Sequence, residues 1–298
     1  MNSPFLADPL GPRGRRATLI ATVVSTAVIL GMMGVAISRL ADKGQLDAAK
    51  WKPFEQWAVW KFLLLGLRTT VSAALVAMAG AMVVGAVMAL GRLSRTAVVR
   101  WLATGYVEFF RGVPLVLLIF FAAFGLPRYG LQWSLFTYLV LGLTIYNGAV
   151  LGEIFRAGIL SLDRGQTEAA YSVGLNYWPT MLLVVIPQAA RRMIPAIVSQ
   201  LVTLLKDTSL GSAIALEELL RRARINGEFF QNSLQSLFVV AVMYVIVNFT
   251  LSRIARRLEV RQRSRLGAGE IAVGGVEDLA LLQAAMPDQS AAGTLGAI

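Results

Sequence analysis

Long stretches without a charged residue dominate the chain and alternate with short basic segments. A helix needs roughly 20 apolar residues to cross the hydrocarbon core of a bilayer. Four uncharged stretches reach that length, and they cover residues 17–38, 69–91, 129–152 and 229–252. Each of the four therefore predicts a transmembrane helix.

Two further apolar stretches are interrupted. Residues 101–126 carry two charges near their start, and residues 173–205 contain three prolines. Because proline removes a helix N–H group and clashes with the preceding turn, we expect the second stretch to be divided. The pattern predicts a short amphipathic helix, a break at Pro187 and a span over about residues 192–205. With both stretches counted, we predict an all-α integral membrane protein with about six transmembrane helices.

Composition agrees with this fold class. The 298 residues are 56% hydrophobic and only 15% charged, whereas a soluble domain has about 25% charged residues. The first span resembles a signal peptide in having a basic segment before it. Its apolar part, residues 17–38, is longer than a usual signal sequence, so an uncleaved helix is favoured over a cleaved one.

The positive charge of the chain has a membrane explanation. Of the 28 Lys and Arg residues, 17 fall on the segments that face the cytoplasm if both termini are inside, which is the orientation that the positive-inside rule favours. The cluster at residues 221–224 lies on the opposite side. Residues 266–298 contain four acids and no Lys or Arg, and residues 259–298 are expected to form a flexible, acidic cytoplasmic tail. The net charge of +11 therefore does not require a nucleic-acid partner.

The residue types available restrict the chemistry of the chain. It has no Cys and no His, which excludes disulfides, Cys/His metal sites and His-based catalytic triads. It also lacks a G-x-x-x-x-G-K-[ST] phosphate loop. The acids near membrane depth, Glu108, Glu153 and Asp207, do not form the closely spaced pairs that hold a catalytic metal. We therefore expect no enzyme and no cofactor, but a transport pore whose energy comes from a partner.

The segment between the fourth and fifth spans, residues 160–187, is longer than a simple connection. A helix is expected over about residues 165–173, with Thr167 as a local cap and Gly174 at its end. A second short helix is expected from about Tyr177. This arrangement fits a docking surface for a partner, although an ordinary amphipathic linker gives the same pattern.

The same segment resembles a known signature. Glu168, Ala169 and Ala170, followed by Gly174 and Pro187, match the E-A-A-x3-G-x9-I-x-L-P pattern of ATP-binding-cassette importer permeases. Segments of the polar amino acid branch of that family are also matched, in family order, by residues 108–115, 153–159, 187–189 and 205–210. Over residues 66–257 the chain therefore resembles the histidine/glutamine/glutamate permeases, and most closely the glutamate type.

This resemblance implies a domain organisation and a set of partners. Residues 59–258 would form the five-helix permease core. Residues 1–58 lie outside the resemblance and are expected to hold the cytoplasmic N-terminus, the first helix and an extracellular loop. The chain would pair with a second permease subunit, the same or a related chain, in a bacterial cell membrane. It would bind a cytoplasmic ATPase dimer and receive an amino acid from an extracellular solute-binding protein.

The resemblance also implies roles for particular residues. A cytoplasmic coupling helix would contact the ATPase through residues that the motif identifies: Gln166, Glu168, Ala169, Ala170, Gly174 and Leu175. Position along the two spans on either side of this helix, and not the resemblance, assigns five residues to the substrate path: Asn147, Glu153, Gln188, Lys206 and Asp207. For Asn147 a helix-packing hydrogen bond is an alternative, and for Glu153 a local salt bridge to Arg156.

The expected substrate is a polar amino acid of the glutamate, aspartate or glutamine class. A permease of the same family for another polar or basic amino acid or an opine is the alternative reading. A self-standing secondary transporter or channel would fit less well, because such a protein has no need of a cytoplasmic E-A-A-x3-G helix.

Overall fold

A computed structural model describes residues 11–254 and 257, so the expected acidic tail lies outside the described residues. The described part is helical, without a β-strand. Its α-helices are α1 (Pro12–Asp42), α2 (Trp57–Arg92), α3 (Ala97–Gly112), α4 (Leu115–Phe120), α5 (Leu135–Leu160), α6 (Arg164–Ser172), α7 (Tyr177–Pro179), α8 (Ile186–Asp207), α9 (Leu219–Phe229) and α10 (Ser233–Ile254). Shorter 3-10 or π-helical segments cover Ala48–Glu55, Phe121–Gly125, Leu126–Tyr129, Thr180–Val185 and Thr208–Ile214.

Five helical segments of the described residues are long and apolar enough to cross a membrane. They are α1, α2, α5, the continuous helix Tyr177–Ile214 and α10. A sixth span results if α3 and the helix Leu115–Tyr129, which are bent by 99° at the break between them, form one broken span. The prediction of an all-α membrane protein with about six transmembrane helices is confirmed.

The bend after α3 follows from Pro114. A proline disfavours helical geometry in the residue before it, and Val113 is accordingly extended, with φ −82° and ψ 130°. The interruption that the charges near the start of residues 101–126 indicated is therefore a sharp change of direction at Pro114.

The predicted break at Pro187 is wrong. The helix Tyr177–Ile214 runs through both Pro187 and Pro195 without a break. A π-helical turn, Thr180–Val185, comes directly before Pro187. Its extra residue widens the helix and changes the hydrogen-bond register there, so the proline ring is accommodated in the first turn of α8 instead of ending the helix.

The described residues form two compact units, and the first contains residues 11–62 and 223–239. Within it the amine of Lys50 donates to the Gln231 carbonyl oxygen at 2.8 Å. The side-chain amide of Asn232 donates to the Lys50 carbonyl oxygen at 3.0 Å and accepts from the buried Ser236 hydroxyl at 2.9 Å. The apolar side chains of α1 are exposed along its length, as expected of a helix surrounded by lipid.

The second unit contains the described residues 63–222, 240–254 and 257, and its core lies around α5. Leu139, Leu143 and Leu151 of this helix are completely buried. Helix α5 approaches α2 closely at Gly148, where a Cβ atom would lie only 2.6 Å from the Val84 side chain. Small residues at helix contacts are the usual means of close packing between membrane helices. The functional residues described below lie mainly on this unit.

Candidate functional site

The segment that resembles a coupling helix forms the nine-residue helix α6, close to the expected position. Asp163 precedes it, and an Oδ1 oxygen of this residue accepts a hydrogen bond from the Gly165 N–H group at 2.8 Å. The prediction of Thr167 as the cap is wrong. Asp163 lies directly before the first helical residue, where a side-chain oxygen can reach the free N–H groups of the first turn.

The C-terminal end of α6 depends on Gly174, as predicted. Gly174 has a φ of +85°, and its N–H group donates to the Tyr171 carbonyl oxygen at 3.0 Å, while the Leu175 N–H group donates to the Ala170 carbonyl oxygen at 3.1 Å. These two bonds form a Schellman motif, which satisfies the last carbonyl groups of a helix and turns the chain away from it.

Replacing Gly174 by alanine is expected to destabilise this turn by about 1 kcal/mol, because a left-handed conformation is strained for residues with a Cβ atom. No atom lies within 4 Å of the added Cβ, so the cost is conformational only. Faster hydrogen exchange at the end of α6 would report it. Gly105→Ala in α3, which also meets open space but has no positive φ, should leave exchange in α6 unchanged. Equal exchange in both variants would contradict the role of Gly174.

The motif residues of α6 lie on an accessible surface. Gln166, Glu168 and Ala169 are exposed, whereas Ala170 is buried against the rest of the protein and Leu175 is half-buried. Ala170 thus attaches the helix to the membrane part, and the other face remains available to a partner.

Gln188 was assigned to the substrate path, and the structure places it beside α6. Its side-chain amide donates to the Gln166 side-chain oxygen at 3.1 Å. Because Gln188 lies only about three turns into the helix that begins at Tyr177, it remains near the end of the span from which α6 emerges. Its side chain therefore links the helix that begins at Tyr177 to α6.

An open cavity of about 500 Å³ lies at the other end of α8, and its wall combines polar and apolar groups. The polar side chains on this wall are Tyr146, Gln200, Thr203 and Asp207. Of the residues assigned to the substrate path, Asp207 contributes to the wall, whereas the exposed Lys206 does not.

Asn147 is fully buried behind this cavity. Its amide nitrogen donates to the Leu143 carbonyl oxygen at 2.8 Å, and its Oδ1 atom accepts from Nε2 of Gln200 at 2.7 Å. This is the helix-packing bond considered as the alternative, and it also holds Gln200 at the cavity wall. Sequence reasoning missed Gln200 and Thr203. A signal was present, because Thr203 and Asp207 follow Gln200 by three and seven residues, a spacing that places all three on one helix face.

Glu153 of α5 forms a salt bridge to α2 in addition to one within α5 itself. One carboxylate oxygen accepts from Arg156 at 2.6 Å, as the local salt-bridge alternative predicts. The other accepts from Arg92 at the end of α2, and Arg111 of α3 lies 4.0 Å from it. Because one carboxylate faces three guanidinium groups, it stabilises a concentration of positive charge where three helices meet.

A buried acid that sequence reasoning did not single out lies before α9. Both carboxylate oxygens of Glu218, which is completely buried, accept backbone N–H groups, one from Leu220 at 2.9 Å and one from Arg221 at 2.7 Å. The Tyr244 hydroxyl donates to the same group at 3.0 Å. Burial raises the pKa of the Glu218 carboxyl, and these donors offset part of the rise.

The replacement of Glu218 by alanine is expected to cost about 2–4 kcal/mol, because buried N–H and hydroxyl groups would lose their acceptor. Thermal unfolding in detergent measures the loss. The adjacent Glu217→Ala removes an exposed carboxylate paired with Arg222 at 3.1 Å, and it should cost well under about 1 kcal/mol. Similar losses in the two variants would contradict the assignment of Glu218 as the structural acid.

Known proteins resemble the chain over most of the residues described above. The family model described as "binding-protein-dependent transport system inner membrane component" matches residues 81–264. A glutamate transport system permease protein of Corynebacterium glutamicum is 38% identical over 229 residues, which are 76% of this chain and 84% of the relative. A probable glutamine permease of Bacillus subtilis is 43% identical over 67% of this chain and 94% of its own length.

A solved structure of an amino acid transporter also resembles the chain. The crystal structure of an amino acid ABC transporter with histidines contains a chain that superposes with a TM-score of 0.64 at 30% identity, over 67% of this chain and 94% of that one. Substrates differ among such relatives, since an arginine transport system permease protein of Bacillus subtilis is 34% identical over 68% of this chain and 93% of its own length.

Proposed function

Because this chain belongs to the family of binding-protein-dependent transport system inner membrane components, we propose that it passes a polar amino acid across the membrane in an ATP-driven importer. It is a transport subunit and not an enzyme. The proposed substrates are glutamate, aspartate and glutamine. The proposed assembly contains a second permease subunit, a cytoplasmic ATPase dimer and an extracellular solute-binding protein.

Helix α6 is the observation that carries the proposal. It presents Gln166, Glu168 and Ala169 to solvent, and hydrogen bonds define both of its ends, at the Asp163 cap and at the Gly174 turn. A short, preformed helix with small and polar residues on its free face suits insertion into a groove of a partner protein. The movement of such a partner would reach the spans through Ala170 and Gln188, which connect α6 to the membrane part.

The cavity beside α8 supports an amino acid as the cargo. Asp207 supplies a carboxylate that suits the α-ammonium group of any amino acid, and Tyr146, Gln200 and Thr203 supply hydrogen-bonding groups around it. The preference for the glutamate, aspartate and glutamine class rests on the names of the relatives that are 38% and 43% identical. The exposed Lys206 lies next to this wall in sequence and adds a positive charge for an acidic side chain.

We place both termini in the cytoplasm of a bacterial cell, since 17 of the 28 basic residues then lie inside. This orientation puts α6 on the same side as the ATP. It puts the loops before α2 and after α4 outside, where a binding protein delivers its ligand.

Competition among amino acids tests the substrate. Proteoliposomes would contain the full chain with its ATPase and solute-binding protein, and uptake of labelled glutamate would be measured with ATP on the side of α6. Excess unlabelled glutamate, aspartate or glutamine should abolish the signal, whereas arginine should not. No uptake of labelled glutamate, together with uptake of labelled arginine into the same vesicles, would redirect the assignment to a basic amino acid within the same family.

A further inference from the structure

A second cavity, of about 290 Å³, lies where α6 meets the end of α5 and the start of the helix Tyr177–Ile214. One part of its wall is apolar and includes Leu160, Leu162 and Met181. The other part carries a guanidinium group and four hydroxyl groups, from Arg164, Thr167, Tyr171, Tyr177 and Thr180. The proposed transport cycle uses none of these five side chains.

Thr180 is the unusual member of this group. Its side chain is 2% exposed, and its buried hydroxyl has no hydrogen-bond partner among the described residues. A helical threonine commonly donates to the carbonyl four residues earlier, as Thr22 does to Thr18. Because an unpartnered buried hydroxyl is rare in native structures, this one points to a ligand in the cavity.

Arg164 occupies an electrostatically unfavourable position in its own helix. It is the first residue of α6, where the positive end of the helix dipole repels a cation. No acid among the described residues lies within salt-bridge distance of its guanidinium group. A second cation lies nearby, since the Arg95 guanidinium carbon lies 5.1 Å from the Tyr177 ring centroid. The cavity therefore attracts an anion.

An apolar groove of about 270 Å³ adjoins this cavity, and the two share Ile159. Its wall is formed by side chains such as Met82, Phe155, Ile186 and Met193. The cavity lies where membrane helices end, at Leu160 of α5 and at Tyr177, whereas the groove lies further along the same helices, at Phe155 and Met193. Trp178, adjacent to the cavity, is 62% exposed. Tryptophan at the end of a membrane helix is typical of the headgroup level of a bilayer.

We propose that the cavity binds the phosphate group of an anionic phospholipid whose acyl chain occupies the adjoining groove. Arg164 pairs with the phosphate, and the Thr180 hydroxyl donates a hydrogen bond to it. The apolar groove distinguishes a lipid from free phosphate, and the unpaired cations distinguish an anionic lipid from a zwitterionic one. The inference does not depend on the identity of the transported amino acid.

Native mass spectrometry of the purified full chain in detergent tests this site. The chain would be titrated separately with short-chain phosphatidylglycerol, short-chain phosphatidylcholine and inorganic phosphate. We expect one tightly bound phosphatidylglycerol, with the other two probes at least about tenfold weaker. Arg164→Gln should weaken phosphatidylglycerol binding about tenfold, the magnitude for loss of one charged hydrogen bond.

Thr180→Val tests the buried hydroxyl while preserving its shape. It should weaken phosphatidylglycerol binding and leave the thermal unfolding midpoint equal or higher, because the lost hydroxyl has no protein partner. Arg191→Gln removes an exposed arginine outside the cavity and should not alter binding. Binding of both lipids that is insensitive to Arg164→Gln and Thr180→Val would overturn the proposal in favour of annular lipid. Equal affinity for inorganic phosphate and phosphatidylglycerol would overturn the lipid as the ligand.

Discussion

Replacing Glu168 by arginine is expected to reduce ATP-driven amino acid uptake at least about tenfold. The reversed charge would lie in the proposed interface with the ATPase, where a like-charge contact or an unpaired charge costs several kcal/mol of binding free energy. Glu168 is exposed on α6 and its carboxylate has no partner in the described part of this chain, so the helix itself should tolerate the change. Uptake into proteoliposomes and ATP hydrolysis stimulated by the binding protein would be measured together. Both should fall, with the amount of inserted chain unchanged.

Glu228→Arg is the matched control for this substitution. It reverses the charge of another exposed glutamate, on a helix that the proposed topology places outside the cell. Uptake and stimulated ATP hydrolysis should remain near the wild-type level. Full uptake in Glu168→Arg, or the same loss in both variants, would contradict docking through α6.

Replacing Glu153 by glutamine is expected to destabilise the membrane part by about 1–3 kcal/mol. Breaking a buried ion pair costs more than that, but the side chains here are partly exposed, from 15% for Arg92 to 50% for Arg111, and solvent screens them. The loss arises because the arginines around Glu153 would repel one another without their common counter-charge. Thermal unfolding, followed through the tryptophan fluorescence of the chain in detergent, measures it.

A double-mutant cycle identifies the partner that matters. Combining Glu153→Gln with Arg92→Gln should cost less than the sum of the two single changes, since each removes the same contact between α2 and α5. Arg191→Gln, which changes an exposed arginine elsewhere, should add independently. Strict additivity of Arg92→Gln and Glu153→Gln would show that the carboxylate does not act through Arg92.

The helices could be predicted from sequence because an uncharged run of about 20 residues has few other stable forms in a membrane. The ends of the helices could not be predicted equally well, because local capping interactions determine where a helix begins and ends. The predicted start of α5 at residue 129 moves to Leu135, since Gly130 is left-handed and the Ser134 side chain accepts from the Thr137 N–H group. The break predicted at Pro187 failed for a related reason, because the π-helical turn directly before it lets the helix continue through the proline.

The site was predictable to a different extent. The E-A-A spacing located α6 because local sequence determines a short helix and its Gly174 turn. Contacts between helices depend on packing that one sequence does not reveal, and the bond from Gln200 to Asn147 is an example. The same limit explains why Arg92 was not recognised as a partner of Glu153. It also explains why the bond from Gln188 to Gln166 could not be anticipated.

Site-directed crosslinking tests the central claim most directly, because the chain contains no cysteine and an introduced cysteine is then its single thiol. Ala169→Cys places a thiol on the exposed face of α6, and Gln132→Cys places one on the exposed loop between α4 and α5. In the assembled transporter, a short thiol-to-amine crosslinker should join position 169 to the ATPase and leave position 132 unlinked to it. An ATPase adduct at position 132 and none at position 169 would contradict the proposal that α6 transmits the work of ATP hydrolysis to this membrane subunit.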